Sequence, residues 1–513
     1  MQQVTIRSFH VALLLLLGSA IAHAQCANGW VRTGGGPDHY DRALAVAADS
    51  LGNTYVAGQF NGSATFGDTT LVSTSSEDIY LAKYALDGDL IWIRAMGSQG
   101  TDQVNDLLVL TDDLVVLAGS SNSTVTFGAF THTNTSGWPD AYMVAFTGSG
   151  DVSWFTAIAG TGSDLCTGLA RYGTSTTFVA TGSYEGTLLL GPTLIATGSR
   201  NTFVCEVTFD GAVQWARSIA CSGAGSSAAV ALPAAATVVV SGGFSGTITF
   251  NGSTHTSAGS SDGFLATYTI GGDELDVLTF GSALEDSFGD IAAGSDGEVF
   301  ASFIFSNSVQ VGSIPLTSVG DKDAGIVRVQ ASDLSCTHAV QIGGADRDYL
   351  DAIAYSPTGV VLATGSVNGS ASIGGIDVVS TPDDNNIYYA LFNASDLSST
   401  SAAITGGPLG YDQGIGIAVD RSYNITVVGE FAGSTTFDGT ATTADVNGGD
   451  AFVWRLCATA VGIEEAPAPL LDLTVRPVPN DGHFSVVLDN ALGGPALLRV
   501  LDSSGRVVHQ LSI

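Results

Sequence analysis

Basic side chains are scarce in this 513-residue chain, with 16 Lys+Arg against 49 Asp+Glu and a formal net charge of -33. A surface this acidic repels phosphate backbones and anionic headgroups, which excludes nucleic acid and the membrane surface as partners. Long apolar runs are also missing beyond the first 24 residues, so no transmembrane segment is expected. Sustained helical periodicity is missing as well, which excludes α-helical and α/β architectures. The six histidines beyond the N-terminal segment, His39, His132, His255, His338, His483 and His509, form no zinc-binding pattern. The pairs Asp112-Asp113 and Asp383-Asp384 read as solvated loop acids. The run Gly259 to Gly263 has the spacing of a nucleophile elbow but lies on a repeated turn rather than between a strand and a helix.

What is present begins with an export signal. Arg7 precedes an apolar core from Val11 to Leu17, and Ala22 and Ala24 supply small residues for cleavage. Residues 1–24 therefore read as a secretory signal peptide. Gln25 before Cys26 argues against lipidation. The exported chain meets an oxidising compartment, where its six cysteines can form bridges.

With 65 glycines and 45% apolar residues, the rest reads as many short strands and turns, and a repeat organises them. The pair Phe66-Gly67 recurs as Phe127-Gly128, Leu190-Gly191, Phe250-Asn251, Val311-Gly312, Ile373-Gly374 and Phe437-Asp438, about sixty residues apart. Gly58, Gly119, Gly182, Gly242, Gly365 and Gly429 end strand-like runs in the same phase. A third marker sets Asp or Asn two residues before an aromatic, at Asp78, Asp140, Asn201, Asp262, Asn386 and Asp450; Asp323 keeps the acid alone. The acid at this marker is expected to bond backbone amides as an Asx turn does. Each copy reads as four strands, exemplified by 43–46, 54–60, 79–85 and 90–93, with an Asp87-Gly88 hairpin between the last two. Seven four-stranded copies imply an all-β, seven-bladed β-propeller over residues 25–457.

Closure of the ring is legible at its ends. Trp30 to Arg32 matches the outermost strands at Trp92 to Arg94 and Trp215 to Arg217, while the seventh copy stops at Cys457. The N-terminal strand 26–33 is therefore expected to complete the last blade. Cys26 and Cys457 then fall at the two ends of a missing hairpin turn, at a separation suited to a disulfide, whose Cα atoms lie roughly 4.4–6.8 Å apart. Cys166 begins an inner strand and Cys221 ends an outer one, toward the same face, which makes them candidates for a second bond. Cys205 and Cys336 have no evident partner.

The runs Leu44 to Gly58, Asp78 to Tyr84 and Leu90 to Trp92 resemble the bacterial propeller repeat known as SBBP, over residues 30–457. That resemblance implies architecture and carries no agreed catalytic residues. Residues 458–473, with Pro467 and Pro469, read as a linker. Residues 474–513 resemble the C-terminal sorting domain of type IX secretion substrates, through Pro479 to Gly482 and Asp502 to Val508. Such domains continue through a further strand and a basic end, so this one is expected to be incomplete. The resemblance implies the type IX machinery as a partner and a secreted or surface-attached location.

Two functions of different class follow. The first is a non-catalytic binding propeller, expected to be a monomer and to need no cofactor, that holds a glycan, peptide or protein. The second is a hydrolase or lyase acting on an extracellular polymer. Binding is preferred because the histidines do not cluster and each repeated acid has a turn explanation.

One acid stands five residues before an apolar anchor in five copies, namely Asp102, Asp164, Asp286, Asp348 and Asp412. His39 and Gly225 are assigned to that position in the first and fourth copies. Capping of a loop through backbone N–H groups is the simpler account. A circle of carboxylates near the channel mouth is also a candidate Ca²⁺ site, because hard cations prefer oxygen ligands.

Overall fold

The computed structural model describes residues 3–6, 29–37, 40–234, 237–380, 385–407, 411–444, 448–457, 472–476, 484–489, 497–501 and 507–512. Every described element is a β-strand. No helix among the described residues is long and apolar enough to cross a membrane.

The chain divides into two compact units, 26–463, and 1–25 together with 464–513. In the latter, Phe484–Asp489 pairs on one side with Gln3–Ile6 and on the other with Asp472–Arg476, and Leu497–Leu501 pairs with Val507–Ser512. The apolar run 11–17, the cleavage site and the linker lie outside the described residues.

In the larger unit, alternating β-branched and aromatic residues form antiparallel meanders of four strands, which span 42–96, 102–160, 165–221, 225–280, 287–344 and 349–405. A further meander begins at 413 and ends at Leu456, and its fourth strand is Trp30–Gly35, paired antiparallel with Asp450–Leu456. The first strand of each meander packs against the first strand of the next, and Gln413–Val419 packs against Arg42–Ala48, which closes a ring. Second strands such as Ile425–Phe431 are buried along their whole length. The core is divided among the interfaces between adjacent meanders. One cluster joins Val56, Phe60 and Tyr80 to Val428 and Val453 across the point of closure.

The four-strand reading of each copy missed a short hairpin between the second and third strands. It appears as 125–132, 187–195, 247–256, 308–317, 370–379 and 434–443, and within the long strands of the first meander. The Phe-Gly marker is its turn, with Gly67 at φ 57°. Leu188, Ile248 and Ala371 on such hairpins pair with the outer strand of the preceding meander, which protects an edge that would otherwise be open. The apolar marker residue beside the turn, such as Phe66, Phe127 or Phe437, is buried at the interface.

Adjacent meanders are also latched at the turn between their third and fourth strands. The Trp30 Nε1–H donates to Leu86 O at 3.0 Å, Trp92 to Gly148 O at 3.0 Å, Trp154 to Phe209 O at 2.7 Å and Trp215 to Ile270 O at 3.0 Å. Each indole lies against the turn glycine of the following meander. At Gly88, φ is 85° and an added Cβ would come within 2.7 Å of the Trp30 ring, so both conformation and contact require glycine there.

Closure adds a buried cation. Arg455 is fully buried, bonds Asp420 within its own meander, and donates from Nη1 to Thr54 Oγ1 of the first meander at 2.9 Å. Cys457 follows directly and is disulfide-bonded. Cys26, the partner expected for it, lies outside the described residues.

The expected Cys166–Cys221 bond is corrected, since both are free buried thiols. They occupy different interfaces, Cys166 beside Cys205 and Cys221 beside Phe244 and Ile248. Desolvation pushes the Cys205 and Cys221 thiols up to about 12.

Removing one partner of a buried ion pair leaves an uncompensated charge, so Asp420→Ala is expected to lower stability by about 3–5 kcal/mol in urea denaturation. An unchanged midpoint would show that Arg455 does not hold the closure. Alkylation in denaturant without reductant is expected to modify Cys166, Cys205, Cys221 and Cys336 and to spare Cys457, as read by peptide mass spectrometry.

Candidate functional site

The five repeated acids are fully buried at the start of their inner strands, and four of them accept backbone amides. Asp286 Oδ2 accepts the Ser282 amide at 2.5 Å and its Oδ1 the Ser306 amide at 2.9 Å. Asp348 takes the amides of Gly344 and Asn368 at 2.6 and 3.2 Å, and Asp412 those of Gly407 and Ala432 at 2.8 and 2.9 Å. Asp102 Oδ2 accepts the Ser98 amide at 2.6 Å. One oxygen thus holds the end of the preceding outer strand, and in three of these the other holds the end of the second strand of the same meander. The side chain staples three segments together.

The first meander has the same staple in Asp41, which accepts the amides of Gly36 at 2.8 Å and Asn61 at 3.0 Å. This corrects the assignment of His39, which lies outside the described residues. The five-residue interval runs from Asp41 to Val46. Among the described residues no group of three or more His, Cys, Asp or Glu is placed to hold a metal ion. Capping of backbone is what these carboxylates do.

Three acids of the third marker bond backbone amides as expected, but the donor lies four residues earlier, which is not the geometry of an Asx turn. Asp78 accepts the Thr74 amide at 2.8 Å and Asp323 the Val319 amide at 3.0 Å. Asp262 accepts the Ala258 amide at 3.0 Å, so the residues spaced like a nucleophile elbow form a turn. His132 Nε2 lies 2.8 Å from Asp140 Oδ2.

Staple and marker acids approach one another at several junctions, and burial, with repulsion from the neighbouring acid, raises the pKa values of Asp102, Asp164, Asp262 and Asp348. Burial pushes Asp164 up to about 8, and Asp140 beside it adds to the rise. Neither oxygen of Asp164 has a bonding partner, although the amides of Glu185 and Gly160 face it and pull its pKa down. Burial likewise raises Asp348 to about 6.

Every inner strand carries a bulge two or three residues after the staple. Asp106 sits on one bulge and accepts the amides of Leu107 at 2.7 Å and of Leu169, in the next meander, at 2.6 Å. Asp290 does the same for Ile291 and Ile353, both at 2.8 Å. Burial raises Asp106 to about 7 and Asp290 to about 6. Both carboxylates tie neighbouring inner strands together. Sequence reasoning passed over them because they do not recur in every copy.

The fourth meander breaks the pattern. Gly225 stands in place of the acid, and an added Cβ there would come within 2.6 Å of Cys221 Sγ. Asn201 replaces the marker acid and accepts the Cys221 amide at 3.3 Å. The flanking residues are also small. Ser226 stands where Gln103 and Gln413 stand in other meanders, each one residue before the strand-pairing position opposite the marker glycine.

A cavity of about 400 Å³ results, lined by Arg200, Gly225, Ser226, Gly243, Ser261 and Glu285 among others. Its charges are already paired. Arg200 donates from Nε and Nη2 to Glu185 Oε1 at 3.2 and 2.7 Å. Glu285 takes Lys322 Nζ at 2.8 Å, which holds its carboxyl below the usual range. The sequence signal for this site was Gly225, the copy in which the acid is missing.

No family model matches the chain, and no curated protein matches it in sequence. Solved structures to which it is similar include the WD40 domain of Neurospora crassa Pan2, at 8% identity and TM-score 0.41, over 81% of this chain and 89% of that one. The Dos1 propeller is similar at 9% identity and TM-score 0.42, over 83% and 95%. The phage phi92 endosialidase is similar at 11% identity and TM-score 0.41, over 94% and 79%. The protein is all-β and of the β-propeller class, an assignment that rests on its own strand pairing and ring closure.

If the staples hold backbone and not metal, Asp286→Ala is expected to lower stability by about 2–4 kcal/mol through two orphaned amides. Added calcium or EDTA should leave the wild-type melting temperature unchanged; a calcium-dependent rise would restore the cation ring. The raised acids set the pH dependence. Asp106, Asp164, Asp290 and Asp348 keep their protons in the fold at pH values where the unfolded chain, titrating near 3.8, has lost them. Their contribution therefore falls as pH rises from 3.8 towards 8. Asp164→Asn should raise the melting temperature much more at pH 8 than near pH 4, and equal shifts at both would refute the assignment.

Proposed function

We propose that this chain is an exported, non-catalytic binding module built as a seven-bladed β-propeller. The propeller spans 25–457 and its blades are SBBP-type repeats over 30–457, with the N-terminal strand completing the last. Residues 474–513 act as a sorting domain read by the type IX secretion machinery, and the protein works outside the cell or on its outer surface. The signal-like segment 1–24 and the disulfide at Cys457 support export.

The observation that carries the binding reading is the cavity beside Gly225, where the fourth meander has no staple acid. Binding loops and clefts are typically positioned in this way by a rigid scaffold. Against catalysis, both oxygens of Asp106 and of Asp290 are engaged by backbone amides, which makes them struts.

The reading is tested by probing the purified protein on glycan and protein arrays beside a panel of polysaccharide-degradation assays. Saturable binding without product is the expected result. Turnover of any polymer would replace this reading with the hydrolase or lyase alternative.

A further inference from the structure

Resting on that binding reading, we infer that the cavity beside Gly225 is a site for a neutral saccharide. Four features of the cavity select this ligand class.

The lining supplies hydroxyls in number, from Ser226, Ser245, Ser260, Ser261 and Ser287, of which Ser245 already accepts the Ala224 amide and Ser261 donates to Asp286 O. Hydroxyls that both donate and accept match a polyol, whose own hydroxyls do the same. The charged groups are paired before any ligand arrives, Arg200 with Glu185 and Glu285 with Lys322. A charged ligand would have to displace one of these partners, whereas a neutral one receives charge-assisted bonds from groups already fixed in place. The net charge of -33 works in the same direction, because the field of the whole chain repels anionic polymers. The single aromatic residue of the lining, Phe244, keeps its ring in the core beneath, so the lining is predominantly polar. At about 400 Å³ the volume lies at the lower end of ligand pockets, which run from roughly 300 to 1,000 Å³, and fits a short terminal segment of a glycan.

The cavity has a cause in the repeat. Other meanders fill the equivalent space with an acid and a longer neighbour, as Asp102 with Gln103 and Asp412 with Gln413. The fourth has Gly225 with Ser226, and Cys221 takes over the packing beneath. A purely structural lapse would leave a dry apolar hole; this one is lined with hydroxyls.

The test begins with an array of neutral and acidic glycans and cationic peptides, followed by titration calorimetry of the strongest neutral oligosaccharide at low and high salt. Wild type is expected to bind neutral glycans with an affinity that salt does not change. Ser226→Gln, which restores the residue of two sister meanders, should weaken binding on the order of tenfold or more with the melting temperature unchanged. If that variant melts early, Ser287→Gln fills the same cavity from the next inner strand and serves in its place. Binding retained by the filled variants, selective binding of acidic glycans or peptides, or no binding to any probe would each overturn the saccharide site. The first two would leave the binding module standing, and cleavage of the bound glycan would overturn the module itself.

Discussion

A carboxylate buried at the start of an inner strand has to be met by hydrogen-bond donors or by a proton, and the backbone of two other segments supplies the donors. In Asp286, Asp348, Asp412 and Asp41, one oxygen reaches back to the end of the preceding outer strand and the other forward to the end of the second strand. One contact spans four or five residues and the other twenty. The same side chain therefore sets where one meander ends, where the next begins and how far its second strand runs. The glycines, serines, asparagines and alanine that donate these amides do so from the backbone and need no side-chain chemistry, which is why the staple depends on one residue type at one position.

The opposite face is organised by another interaction. Indoles at Trp30, Trp92, Trp154 and Trp215 lie over the turn glycines of the following meander and bond a carbonyl of that turn. These latches serve one arc of the ring, from the closure through the fourth meander. On the staple side the fourth meander is the exception, with Cys221 and Gly225 substituted for the acid. It holds its position through the indole latch and the apolar cluster around Val238 and Phe264, which leaves its staple end free to carry an opening.

Burial of so many acids has a cost that pH controls. Asp106 and Asp351 are raised to about 7 and Asp290 to about 6, chiefly by desolvation, in a chain with few cations to offset them. Two of the few, Lys83 and Arg455, lie against Asp49 and Asp420 at equivalent ends of the third strand in the first and last meanders. Cations are thus concentrated on both sides of the closure, where the chain has no covalent turn and the two ends must be held by side chains.

Repeated local signals were legible in the sequence because each is a local requirement. Turn glycines, the alternation of strands and the apolar residue beside each Phe-Gly turn follow from backbone conformation and burial, and they recur in phase. The likeness of Trp30 to Arg32 with other outer strands likewise revealed where the N-terminal strand pairs. The hairpin inside each copy was missed, because its short strands are half exposed and show no alternation apart from their partner. Asp41 was passed over in favour of His39, because the anchor residue that counts is set by the bulge and not by the first apolar position. The sequence by itself determined an all-β repeat, its phase, and the position at which the fourth copy departs from the rest. Only the tertiary structure decided that the repeated acids hold backbone, that Cys166 and Cys221 lie in separate interfaces, and that the departure at Gly225 opens a hydroxyl-lined cavity. Each of these depends on which segments the ring brings together, and residues about twenty to sixty apart meet through packing that no local pattern encodes.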